Sequence, residues 1–158
     1  MEKFAKTNAM RLLDQSNIHY GIISYHVNPT DLSAEHVSQE TGVPLNQIFK
    51  TLVAQGDKTG ELVACVSGNA ELDLKKFANL SGNKRIALIP VSEIQKKTGY
   101  LRGGVSPIGM KHAYPLYIDQ SALQHPFILV SAGLRGLQIK IKPQDLVDIC
   151  QMKTASLV

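Results

Sequence analysis

Apolar and polar positions in this chain alternate in short runs rather than in long stripes. The best defined run is Ile48-Phe49-Lys50-Thr51-Leu52-Val53-Ala54, bounded by Pro44 and Asn46 before it and Gly56 after it. Its β-branched and aromatic residues predict a strand. Side chains alternate faces along a strand, so Ile48, Lys50 and Leu52 share one side and Phe49, Thr51 and Val53 the other. Both faces are largely apolar. Lys50 is therefore either snorkelling at a sheet edge or held in a cleft, and the edge reading is favoured because lysine is rarely buried.

The rest of the pattern predicts short elements. Thr7-Asn8 caps a helix to about Ser16, and 19–25 is a strand. Asn28-Pro29 marks a loop, Ser33 caps a helix that stops near Gly42, and 44–47 is one helical turn. The strand 62–67 follows the turn 56–60 and forms a hairpin with the Lys50 strand. A helix is expected over 70–80, a strand over 85–89 and a short helix over 91–97. Strands at 114–118, 127–131 and 137–141 come next, with a helical turn after Asp119 and a tight turn over Ala132–Gly136. Pro143 opens a last helix to about Cys150. Hairpins and helices mix without a steady βαβ rhythm. The expected fold class is mixed α/β (α+β), with a curved, partly barrel-like sheet and helices outside it, and residues 1–158 read as one domain.

The segment Gly99-Tyr100-Leu101-Arg102-Gly103-Gly104-Val105-Ser106-Pro107-Ile108-Gly109 fits none of these elements. Its glycines and proline exclude a helix or a long ladder strand and let backbone N–H groups approach a ligand.

Composition narrows the class. With 44% hydrophobic and 19% charged residues in 158, the chain is globular, and a net charge of +4 permits an anionic partner without requiring one. Two cysteines, Cys65 and Cys150, without a Cys-x-x-Cys pair, indicate a reducing compartment. Met1–Lys6 lacks the apolar core of a signal peptide, and no apolar run approaches the ~20 residues that span a membrane. The expected location is the cytoplasm. The five histidines are scattered, and there is no phosphate-binding loop, nucleophile elbow or dinucleotide fingerprint. Lys50, the glycine-rich loop and the Gly133–Gly136 turn remain. An ammonium with convergent N–H groups stabilises an oxyanion, as attack at an ester carbonyl requires. With no protein nucleophile evident, the attacking group would be water or part of the substrate.

The stretches Phe49-Lys50-Thr51-Leu52, Leu72-Asp73-Leu74-Lys75-Lys76, Thr98 to Gly109 and Ser131-Ala132-Gly133-Leu134-Arg135-Gly136-Leu137, in that order, are similar to the YbaK/EbsC family of aminoacyl-tRNA deacylases. These are relatives of the editing domain of bacterial prolyl-tRNA synthetases. The resemblance covers essentially the whole chain. It implies a free-standing enzyme that removes a wrong amino acid, typically cysteine, from tRNA(Pro), without metal or cofactor. Apolar contacts in a proline pocket distinguish cysteine by only ~1–3 kcal/mol, so a second sieve is needed. In the family the cysteine thiol is thought to attack its own ester carbonyl and cyclise.

By the same resemblance, Lys50 is the essential lysine at the ester, and Thr51 contributes backbone more than hydroxyl. Gly103 and Pro107 match a Gly-x-x-x-Pro loop containing Gly104 and Ser106, which would receive the amino acid. Tyr25 lines the pocket, and Gly133 to Gly136 forms a second glycine turn. Two positions depart from the pattern. Gln138 stands where many relatives carry an acid that could bind the α-amino group, and Leu32 where relatives have an aromatic.

Each of these residues also has a plain structural reading: Tyr25 as a core aromatic, the glycines as turn formers and Ser106 as a turn cap. Arg102, Lys84, Arg85, Lys111 and His112 form either a patch for the tRNA acceptor end or an ordinary solvated surface. The partners expected are aminoacyl-tRNA and, as a docking partner, prolyl-tRNA synthetase, with no membrane and no DNA. A non-catalytic binding module and an envelope regulator are the alternatives, and no DNA-reading helix supports the latter.

Overall fold

A computed structural model describes residues 5–158. Met1–Phe4, which carry most of the segment read above as lacking a signal peptide, lie outside the described residues. The chain opens with α1 (Asn8–Gln15), whose N-terminus is closed by Thr7 Oγ1 accepting from Met10 N at 3.2 Å. Then come β1 (Tyr20–Ser24) and α2 (Ala34–Thr41), capped by Ser33 and ended at Gly42. A single 3-10 turn, Leu45–Gln47, feeds β2 (Phe49–Gly56), which folds back on β3 (Gly60–Ser67). After these come α3 (Leu74–Ser81), β4 (Ile86–Leu88) and α4 (Ile94–Thr98). The second half holds β5 (Leu116–Asp119), β6 (Ile128–Ser131), β7 (Leu137–Ile141), α5 (Pro143–Cys150) and β8 (Lys153–Ala155).

The strands form two sheets. One is three-stranded and antiparallel in the order β1-β7-β6; the other is five-stranded and mixed in the order β4-β2-β3-β5-β8. A lone parallel bridge between Ile48 and Leu129 joins them, so the surface curves from one sheet into the other. The main core lies between the sheets and is closed by α1 and α5, with Leu13, Phe49, Cys65, Ile118, Ile128, Ile139 and Leu146 all buried. The opposite face of the five-stranded sheet is covered by α3, where Phe77 packs edge-on against Tyr117 with ring centroids 5.1 Å apart. Burial on both faces explains why β2 and β3 read as continuous apolar runs rather than as alternating ones.

The helix expected from residue 70 starts at Leu74, because the Asp73 carboxylate accepts from Lys76 N at 3.0 Å and fixes the cap there. The strand β8 was not anticipated. It is a short, mostly exposed edge with no apolar alternation, and it exists through parallel pairing with β5 and the Lys153 ammonium 5.8 Å from the Tyr117 ring. Among the described residues no helix is long and apolar enough to cross a membrane.

Candidate active site

The two sheets part beside the first half of β2. One edge of β2 pairs with β3 along its whole length, but on the other β4 takes up only Ala54–Gly56. Val53 O on that edge accepts from Ile89 N at 3.1 Å. Backbone direction alternates along a strand, so the Thr51 N–H and C=O face the same edge, where no strand pairs with them. The gap is a cavity of about 340 Å³. Lys50 and Thr51 wall it on one side, and Ser131 of β6 with Gln138 of β7 on another. The 99–109 loop (Arg102, Gly103, Val105) and the α2 approach (Leu32, Ser33, Val37) close it, with Tyr25 just beyond β1.

Lys50 sits on an edge stretch of the sheet, and that edge lines a cavity. Only two ion pairs form among the described residues, Lys6–Asp14 and Lys97–Glu61, so the Lys50 ammonium is unpaired. Thr51 behaves as alternation predicts. Its hydroxyl lies 3.6 Å from the sulfur of its cross-strand partner Cys65, in the core. Burial pushes the Cys65 thiol up to about 12, which keeps it a packing group rather than a nucleophile.

The cavity gathers Tyr25, Lys50, Thr51, Gly103 and Gln138 from the residues singled out by sequence. Gly104, Ser106, Pro107, Gly133 and Gly136 are not in its lining; the first three belong to the loop that lines it, and Gly133 and Gly136 to the turn between β6 and β7. Gly103 adopts φ +85°, and an added Cβ would stand 3.2 Å from Leu32 Cδ1. A Cβ on Gly104 would meet the backbone of Leu134 and Arg135 at 3.2–3.4 Å, so this glycine lets the two loops touch. Arg135 Nε then donates to Arg102 O at 2.7 Å and ties them together.

Ser106 is fully buried and accepts from Ile108 N at 3.2 Å, a turn role. Pro107 faces a different cavity. Gly136 O accepts from Tyr25 N at 2.9 Å, which sets the tyrosine at the rim. The loop donors left for a ligand are few. The Gly104 N–H closes a turn on Leu101 O at 2.8 Å, whereas those of Gly103 and Val105 make no hydrogen bond among the described residues.

Sequence reasoning passed over Tyr100 and Ser131. Tyr100 braces the loop, its hydroxyl donating to Ile108 O at 2.6 Å and lying 3.2 Å from Gly109 O. Ser131 is the cross-strand partner of Gln138, and its hydroxyl accepts from Gly133 N at 3.1 Å. The signal was available for Ser131, which opens one of the motif stretches. The basic residues do not converge. Arg102 lines this cavity, Lys84 and Arg85 line a groove beside β4, and His112 lines the cavity with Pro107. No group of three or more histidine, cysteine or acidic side chains is placed to hold a metal ion among the described residues.

Comparison with known proteins adds the following. The sequence model of the aminoacyl-tRNA editing domain matches residues 29–149. A protein of Enterococcus faecalis named "Putative Cys-tRNA(Pro)/Cys-tRNA(Cys) deacylase EbsC" is 43% identical over 152 residues, covering 96% of this chain and 93% of its own length. A proline–tRNA ligase of Fervidobacterium nodosum is 32% identical over 83 residues, which are 52% of this chain and 14% of the ligase. A crystal structure described as "a putative trans-editing enzyme for prolyl tRNA synthetase" superposes with a TM-score of 0.82 at 26% identity, over 97% of this chain and 98% of that one.

Proposed function

This chain belongs to the aminoacyl-tRNA editing domain family, of the YbaK/EbsC type, and from that premise we propose that it is a trans-editing deacylase that removes cysteine mischarged onto tRNA(Pro). The observation that carries the reading is the unpaired Lys50 ammonium in a cavity between two sheets, beside unused loop N–H groups. In this reading the 3′ end of the tRNA presents its aminoacyl ester to the cavity. Lys50 orients the ester carbonyl and stabilises the negative charge that develops on its oxygen. One well-placed donor of this kind is worth ~2.7–4 kcal/mol in the transition state.

The lining contains no histidine and no cysteine, so no imidazole stands ready to activate a serine there. The nucleophile proposed is the substrate's own thiolate. Its sulfur bonds to the carbonyl carbon, the carbon–oxygen bond to the ribose breaks, and the ribose oxygen leaves and takes up a proton. The resulting thiolactone is opened by water after release. Gly103 and Val105 would place N–H donors on the amino-acid side, and Tyr25 and Leu32 would wall it. A partner such as prolyl-tRNA synthetase would supply selectivity for the tRNA, in the cytoplasm.

The test is release of labelled amino acid from Cys-tRNA(Pro) and Ala-tRNA(Pro) by the wild type and Lys50→Ala. Fast release from the cysteinyl substrate, lost in the variant, is the expected result. Release from the alanyl substrate alone would keep the enzyme class and make water the nucleophile. Binding of tRNA without release from either would favour a non-catalytic module.

A further inference from the structure

The charges that face the proposed amino-acid site are of one sign. From β2 comes Lys50 and from the 99–109 loop Arg102; α2 and its approach offer Leu32, Ser33, Ala34 and Val37, α4 offers Ile94, β6 Ser131 and β7 Gln138. Tyr25 stands at the rim, with His36 edge-on to its ring at 6.2 Å. No carboxylate lines the cavity. The near acid, Asp31, lies in the adjoining crevice, where its Oδ1 accepts from both the N–H and the hydroxyl of Ser33.

An aminoacyl ester carries an α-amine that is an ammonium at low pH and a free base at high pH. In a cavity of about 340 Å³ an ammonium would sit close to Lys50 with nothing to neutralise it. A free amine meets no such repulsion. Gln138 suits it chemically. The residue is 5% exposed and its side chain makes no hydrogen bond among the described residues, while every fully buried side-chain N or O atom there has a partner. The polar end of Gln138 therefore opens on the cavity. A carboxamide both donates and accepts, which matches a neutral amine with N–H groups and a lone pair. An ammonium has donors only and would be matched by a carboxylate.

We infer that this site binds its substrate with the α-amine uncharged, Gln138 serving as the neutral partner that selects that form. The inference rests on the functional reading above and specifies which protonation state of the substrate is taken.

The experiment uses the full chain and two non-hydrolysable acceptor-end mimics, short RNAs ending in a 3′-amide of adenosine. One carries 2-aminobutyrate, the thiol-free isostere of cysteine; the other carries butyrate, which lacks the amine. With the amine titrating at ~7.7–8.0, binding of the 2-aminobutyryl mimic should tighten roughly twentyfold from pH 6.5 to 8.5, relative to the butyryl mimic. In Gln138→Glu the added carboxylate should flatten or reverse that dependence. A 2-aminobutyryl affinity that stays level with pH, or weakens as pH rises, relative to the butyryl mimic overturns the inference, and this wild-type comparison stands even if the variant does not fold. Binding of neither mimic, together with no deacylation, would instead remove the functional reading and the inference with it. Deacylation without the pH dependence would remove the inference alone.

Discussion

Two cavities use the 99–109 loop as a wall, and they differ in the side chains they gather. The one between the sheets is the smaller, about 340 Å³, and it holds Lys50 and Gln138, whose side chains have no partner among the described residues. The other, about 490 Å³, lies between the C-terminal end of α1, the end of α5 and the Pro107–Leu116 segment. There the Tyr114 hydroxyl donates to Lys97 O at 2.7 Å, and the Cys150 thiol donates to Pro107 O at 3.7 Å. Burial holds that thiol at about 12, so it stays protonated and inert. Of these two, size alone would choose the other. Lys50 and Gln138 have no protein partner among the described residues, and their polar ends open on the cavity, within reach of a ligand.

The comparison breaks first at Lys50. Lys50→Ala should lower deacylation ~10²–10³-fold while leaving the melting temperature nearly unchanged, because the ammonium makes no ion pair to lose. Cys150→Ala in the larger cavity should leave the rate unchanged. A normal rate in Lys50→Ala, measured by label release, would remove the distinction between the two cavities.

Glycine substitutions sharpen it next. Gly133 has φ +99°, and an added Cβ would stand 2.8 Å from Tyr100 Cε1. Gly133→Ala should therefore cost ~1–2 kcal/mol of backbone strain and ~1–3 kcal/mol of overpacking in urea titrations. Gly103→Ala carries the same positive-φ strain, at +85°, but meets Leu32 and Arg135 Nε at 3.2–3.3 Å rather than a 2.8 Å clash, so it should cost less stability than Gly133→Ala while activity falls further. Equal proportional losses at Gly103 would reduce it to a turn former.

Tyr100→Phe tests the shared wall. It leaves Ile108 O without its donor and should cost ~1–2 kcal/mol, with a drop in deacylation that Lys50→Ala produces without any loss of stability. The smallest effect is on pH dependence. Both thiols titrate near 12 in the folded chain, above their unfolded values. The unfolded state thus loses its protons first, and stability is full below pH ~9 and then declines by about 1 kcal/mol per pH unit for each thiol. Denaturant titrations of wild type and Cys65→Ala between pH 8 and 10 should differ in slope; parallel lines would mean that the Cys65 thiol is not buried as described.

Much of the frame was legible in the sequence, for local reasons. Thr7, Ser33 and Asp119 are caps by their own side chains, and Pro143 opens α5 because its missing N–H is not needed at that position. The hairpin of β2 and β3 follows from two apolar runs around a glycine turn. The parallel pairings of β3 with β5 and β5 with β8 were not legible, since they join segments far apart in the chain and have no local signature. In the site, Lys50 was evident as a charge in an apolar run and Gly103 as part of a loop that can be neither helix nor strand. The separation of Gly103 from Gly104, Ser106 and Pro107 was not evident, because adjacent loop residues point to different sides.

The sequence by itself determined the short elements, their caps and turns, and the few residues able to stabilise an oxyanion, because these depend on side-chain chemistry and on neighbours within a few positions. Only the tertiary structure decided that the open edge of β2 becomes a cavity wall. It also decided that Ser131 and Gln138 arrive opposite Lys50, and that the charges there are all positive. Those facts depend on β4 covering so little of β2 and on a second sheet curving past it, and no stretch of sequence holds both.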